Sequence, residues 1–162
     1  MMKFVKSAAV ALVCFSALGC PAPTVPSVPL ETLLTAPLSI DVGGRVFVLE
    51  TYLWRDYMPP LNEDGSDLRA VVEITAVDLQ SFPDDVDADK LWVILDGDVW
   101  ETKFSGENRP RDEEHPHQLE KYVSGGPRWE TGTEVEAVVR VTTQGGRVYL
   151  LRASAQTIHR TE

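Results

Sequence analysis

Side chains able to carry chemistry are sparse in this chain, and their spacing limits what each could do. His115-Pro116-His117 sets two imidazoles two residues apart on an extended backbone, behind Asp112, Glu113 and Glu114. Such a pair could begin a transition-metal site, which needs three or four ligands and a supporting shell. No third converging residue can be read from the sequence, so an exposed polar loop is the expected state. Asp85, Asp87 and Asp89 alternate like the first ligands of a calcium loop. Lys90, however, stands where that loop needs glycine, and Asp96 where it needs a bidentate glutamate. A solvated loop that interrupts strand pairing is expected there instead. No serine lies in a Gly-x-Ser-x-Gly elbow, and the nearest candidate, Ser124, is followed by a turn-like Gly125-Gly126. No glycine loop of phosphate-cradling spacing is present either. The expectation is therefore a non-enzymatic chain with no cofactor.

Aromatic residues give the other candidate chemistry. Trp54-Arg55-Asp56-Tyr57-Met58-Pro59-Pro60 ends an apolar run and enters a rigid turn. In one reading Trp54 or Tyr57 is a stacking platform for a sugar or peptide, with Arg55 and Asp56 supplying hydrogen bonds. In the other, preferred because large aromatics in strands are mostly core, Trp54 and Met58 plug the end of the core and Arg55 pairs with a carboxylate. Trp92 and Trp129 complete the set that a carbohydrate or small-ligand surface would use.

These residues follow an N-terminal signal. Lys3 and Lys6 precede a run of small and apolar residues that ends in Ala17-Leu18-Gly19-Cys20. The order is that of a secretory signal. The run is too short to span a bilayer, which takes roughly 20 apolar residues, and the prolines after it cannot continue a helix. Ala17 to Cys20 resembles the lipobox of bacterial lipoproteins, with Ala17 where that family usually has leucine. The resemblance implies a signal over residues 1–19 and cleavage before Cys20. It also implies a diacylglyceryl thioether on Cys20 and acylation, palmitate included, of the new amine. At about 0.8 kcal/mol per buried methylene, two or three acyl chains hold a protein to a membrane permanently. The same family resemblance makes Pro21, rather than aspartate, the outer-membrane choice if the organism is diderm. Cys14 leaves with the signal, so Cys20 is the one cysteine of the mature chain, and the domain must fold without a disulfide.

Length and charge bound the rest. The chain has 162 residues and a formal net charge of −10, which becomes more negative once Lys3 and Lys6 are removed. So acidic a surface is repelled by nucleic acid and by anionic head groups, and nucleic-acid binding is excluded. Residues 20–37 carry five prolines after the cysteine and read as an extended tether. At about 3.1 Å per residue it would hold a domain up to roughly 50 Å from the bilayer, less if Leu33 and Leu34 dock on it.

Residues 38–162 read as β structure throughout. Short runs rich in Val, Ile, Leu, Thr and aromatics are separated by Gly, Pro, Asp and Asn clusters. Strands are expected at 38–42, 45–55, 68–77, 91–95, 99–104, 118–123, 134–142 and 147–158. Leu68, Ala70, Val72, Ile74 and Ala76 form one inward row; Val135, Ala137, Val139 and Val141 form another, which Val138 interrupts. Gly145-Gly146 permits a reversal between the last two strands. Asp96-Gly97 suits a type I′ turn, and that turn pairs Leu95 with Asp98, Val93 with Trp100 and Leu91 with Thr102. Trp92, Ile94 and Val99 then lie with Glu101 and Lys103 on the opposite, mixed face, a candidate partner surface. Seven to eight mostly antiparallel strands resemble the immunoglobulin-like β-sandwich, without its cysteine pair or tyrosine corner. A jelly roll and a transthyretin-like sandwich remain open. The expectation is an extracytoplasmic lipoprotein of the cell envelope, a binding or structural module for an envelope protein or glycan.

Overall fold

A computed structural model describes residues 26–59 and 64–162, and they form an all-β domain with one short helix. The strands are β1 (Ser39–Val42), β2 (Arg45–Asp56), β3 (Leu68–Ala76), β4 (Val86–Leu95), β5 (Asp98–Thr102), β6 (Gly106–Asn108), β7 (Gln118–Gly126), β8 (Glu134–Thr143) and β9 (Val148–Thr161). They make one curled mixed sheet in the order β5-β4-β8-β9-β2-β3-β7-β6, with β1 beside β2. Every neighbouring pair is antiparallel except β2 and β9.

Turn chemistry sets the registers. Asp96 and Gly97 both have positive φ, at 49° and 96°, and the pairs Leu95–Asp98, Val93–Trp100 and Leu91–Thr102 form as the type I′ turn requires. Gly43 and Gly44, at 64° and 85°, reverse β1 into β2 in the same way. Both inward rows read from the sequence are buried, Leu68 to Ala76 on β3 and Val135 to Val141 on β8. With Phe47, Leu49 and Leu53 of β2, Leu119 of β7 and Leu151 of β9, they fill one core between the two halves of the curl.

Strand β9 belongs to both halves. Its first part pairs with β8, and Ile158 to Thr161 then run parallel to Leu53 to Asp56. The change falls at an irregularity opposite Glu136, where Ala155 takes φ 52°. Extra residues of this kind bend a strand and increase its twist.

Two expectations are corrected here. Residues 86–90 are strand rather than loop: Val86 and Ala88 turn inward, Asp85 stays in the turn before the strand, and Asp89 is the extra residue where the β4–β8 register shifts. The tether is not extended up to Pro37. Helix α1 (Leu30–Leu34) and its flanks fold back over the outer face of β4, β8 and β9 as a strap. Leu33, at 0% exposure, and Ala36 pack on Trp92, Ile94 and Val138, with Val28, Leu30, Val99 and Leu150 around them. The strap is also bonded by polar groups. The Ser27 N–H donates to Glu101 Oε2 at 2.7 Å, Lys90 Nζ reaches Ser27 Oγ at 3.2 Å, and the Arg152 N–H donates to the Pro37 carbonyl at 2.9 Å.

Candidate functional site

Where β2 and β9 end together, a single guanidinium ties the end of β2 to two other segments. Arg55 is 5% exposed. Its Nε donates to the Ser66 carbonyl at 2.9 Å, and its Nη1 to the carbonyls of Trp129 at 3.0 Å and Arg128 at 3.3 Å; Nη2 reaches the Asp64 carbonyl. The partner is thus backbone rather than the expected carboxylate. Tyr57 lies between two cations, with the Arg160 guanidinium 3.9 Å and that of Arg55 5.2 Å from its ring centroid. The ring covers Gly65, where a Cβ would come within 2.7 Å of it. Arg55, Tyr57, Asp64, Arg128, Glu130 and Arg160 line an open cleft of about 640 Å³. Arg128 pairs with Asp67 and Arg160 with Glu162. The cleft can offer hydrogen bonds and a cation-flanked ring.

The four aromatics singled out from sequence do not converge. Tyr57 and Trp129 meet around Arg55, and Trp129 also packs against the main core. Trp54 faces outward on β2 beside Tyr52, which is 47% exposed and sits between two rings. The His159 ring stacks on it at 4.8 Å and 13°, and Trp54 lies at 5.5 Å and 32°. The pairing of Trp54 with His159 in the parallel β2–β9 ladder brings these rings together. Tyr52 and His159 were missed in the sequence; the i, i+2 spacing of Tyr52 and Trp54 in a strand is the signal that places both rings on one face. Trp92 is the correction. It is 0% exposed beneath the strap, with Nε1 unpaired among the described residues, and is therefore no part of a free surface.

On the same outer face as Tyr52, Glu50, Glu73 and Glu120 stand in direct register across β2, β3 and β7. Arg111 bridges Glu73 at 3.0 Å and Glu120 at 3.7 Å. Burial raises the Glu73 carboxyl from its ordinary value, and this, with the repulsion of Glu120 and Glu50, outweighs the opposing pull of Arg111.

The histidine loop is held by its own acid. His115 Nδ1 lies 2.7 Å from Asp112 Oδ1, and that bond lowers the Asp112 carboxyl. The His115 and His117 rings are 6.1 Å apart. Among the described residues no three His, Cys, Asp or Glu side chains converge to hold a metal. Asp87 and Asp89 are engaged by cations instead. Asp87 takes Lys121 at 2.7 Å and Arg109 at 2.9 Å, and Arg140 clasps both oxygens of Asp89.

Cys20 lies outside the described residues. No helix among them is long and apolar enough to cross a membrane. The chain matches no family model, no curated protein and no solved structure.

Proposed function

We propose that this chain is a lipid-anchored, non-enzymatic module of a bacterial cell envelope that acts by binding an envelope partner. The observation that carries the reading is Ala17-Leu18-Gly19-Cys20 behind a basic and apolar signal, a few residues before a domain begins. The domain is read as an immunoglobulin-like sandwich. The order β2-β3-β7-β6 in one half and β9-β8-β4-β5 in the other, with β2 and β9 parallel, supports this, since it is the strand order of that architecture. If the cell is diderm, Pro21 favours the outer membrane. Labelled palmitate tests the anchor: the chain takes up label and fractionates with membranes, and Cys20→Ser does neither. An unlabelled, soluble wild-type chain refutes the reading. A pull-down from intact envelopes with the lipidated chain, against Cys20→Ser, identifies the partner.

A second reading, carbohydrate recognition, is favoured by the stacked Tyr52, Trp54 and His159 on an exposed sheet face beside the Glu50 row. It predicts glycan-array binding that Tyr52→Ala and Trp54→Ala abolish. A flat array removes it.

A further inference from the structure

At the end of the molecule where β2 begins and β3 finishes, three apolar side chains stand in solvent. The Val77 N–H donates to the Val46 carbonyl at 2.9 Å, and Leu79 caps the turn that follows, its N–H on the Ala76 carbonyl at 3.1 Å. Val46 is 41%, Val77 53% and Leu79 67% exposed, the last being the most exposed large apolar side chain among the described residues. Scattered surface leucines are ordinary; here Val46 and Val77 are cross-strand neighbours and Leu79 follows two residues later, so three exposed apolar residues share one end of the molecule.

The turn is built to present them. Leu79 has φ 60°, a left-handed backbone that a bulky residue holds only when its surroundings impose it. Arg45 imposes it. Its Nε and Nη2 donate to both oxygens of Asp78 at 2.8 Å each, and the same guanidinium reaches the Ser81 carbonyl at 3.1 Å and the Gln80 carbonyl at 3.0 Å. The Asp78 charge is neutralised, and the apolar tip is held on a clamped turn.

We infer that this tip rests on the bilayer into which Cys20 is anchored; the inference builds on the lipid-anchor reading above. The length of chain between anchor and domain keeps the domain close to a lipid surface. Ser27 is pinned to Glu101 and Lys90. The seven residues from Pro21 to Ser27 therefore span at most about 25 Å in any conformation. Running from Lys90 back to Val86, β4 covers about 13 Å toward the end that carries the tip. Cys20 thus reaches the level of Leu79 with chain to spare, and the domain cannot stand off by the whole length of the proline segment. Three side chains bind bilayers poorly alone, but the anchor makes the contact intramolecular and supplies the effective concentration. Asp84 and Asp85, exposed beside the turn, fit the tip to zwitterionic rather than anionic head groups.

The test uses the lipidated chain with Gln80→Cys, its new thiol carrying an environment-sensitive dye, in phosphatidylcholine vesicles. Asp98→Cys, at the opposite end of the sheet, is the control. The expected result is flotation with the vesicles, blue-shifted emission quenched by spin-labelled lipid at position 80, and neither change at position 98. Leu79→Asp abolishes the shift while flotation persists, and phosphatidylglycerol in the vesicles reduces it. Flotation with water-like emission at position 80, or a shift that survives Leu79→Asp, overturns the tip and leaves the anchor standing. Failure of the wild-type lipidated chain to float overturns the anchor itself.

Discussion

Burial of Trp92 leaves its indole N–H without an acceptor among the described residues, a desolvation cost set against the large apolar area that the ring removes from water. Trp92→Ala is expected to lower stability by about 3–5 kcal/mol in chemical denaturation, the range for deleting a buried aromatic. Trp92→Phe loses less, because a phenyl ring keeps much of the buried apolar area. An alanine variant as stable as wild type would mean that the ring is not covered. Glu73 shows the opposite imbalance. Its carboxyl is raised, so the ionised form is the disfavoured one and stability falls as pH rises through the ordinary glutamate range. Glu73→Gln is therefore expected to raise the melting temperature at neutral pH and to have little effect near pH 3, as calorimetry at both values checks.

Among the elements, the strap explains what the sequence pattern left irregular. Strand positions, the inward rows and the β4–β5 register were legible because period-2 burial and turn chemistry are local. Val138 read as a break in its strand, and Trp92, Ile94 and Val99 as a surface patch. Both are one fact, an outer face covered by residues 28–36, and only tertiary packing reveals it. β6 escaped notice because three residues carry no periodicity. Residues 86–89 look like a loop in sequence because aspartates alternate with Val86 and Ala88, and only the pairing with β8 turns that alternation into a strand. At the candidate site, Arg55 and Tyr57 were visible as a local word, whereas His159 reaches Tyr52 only through the parallel pairing of β2 with β9.

Strap docking is predicted to depend on acid. Burial alone would raise the Glu101 carboxyl, but Lys90 and Ser27 outweigh it and bring it to about 2. A lowered carboxyl stabilises fully above its unfolded value near 4.5, and that contribution is lost as pH falls toward 2. Hydrogen exchange of the strap amides should accelerate across that window before the core opens, and Glu101→Gln should show the faster exchange already at pH 7. Leu33→Ala is expected to cost about 2–5 kcal/mol of docking by the same measurement, the range for truncating a buried leucine.

At the scale of the molecule, the two halves of the curl are joined along one flank by charge. Lys121 of β7, 6% exposed, meets Asp87 of β4 and Glu107 of β6, and Arg109 closes the group. Asp87 and Glu107 keep about half of their side chains in water and stay hydrated when the ammonium is removed, so Lys121→Ala is expected to cost only about 1 kcal/mol. Lys121→Met with Asp87→Asn should recover part of that loss in a double-mutant cycle. The opposite flank is closed by β9, a single strand hydrogen-bonded into both halves. Chain synthesis runs from the N-terminus. The pair that closes the core on this flank, Ile158 with Leu53, joins residues far apart in sequence. Nothing made before β9 has both halves of its core closed. The chain must remain open, its apolar rows in need of shielding, until that strand has emerged, and folding is then completed in one late step.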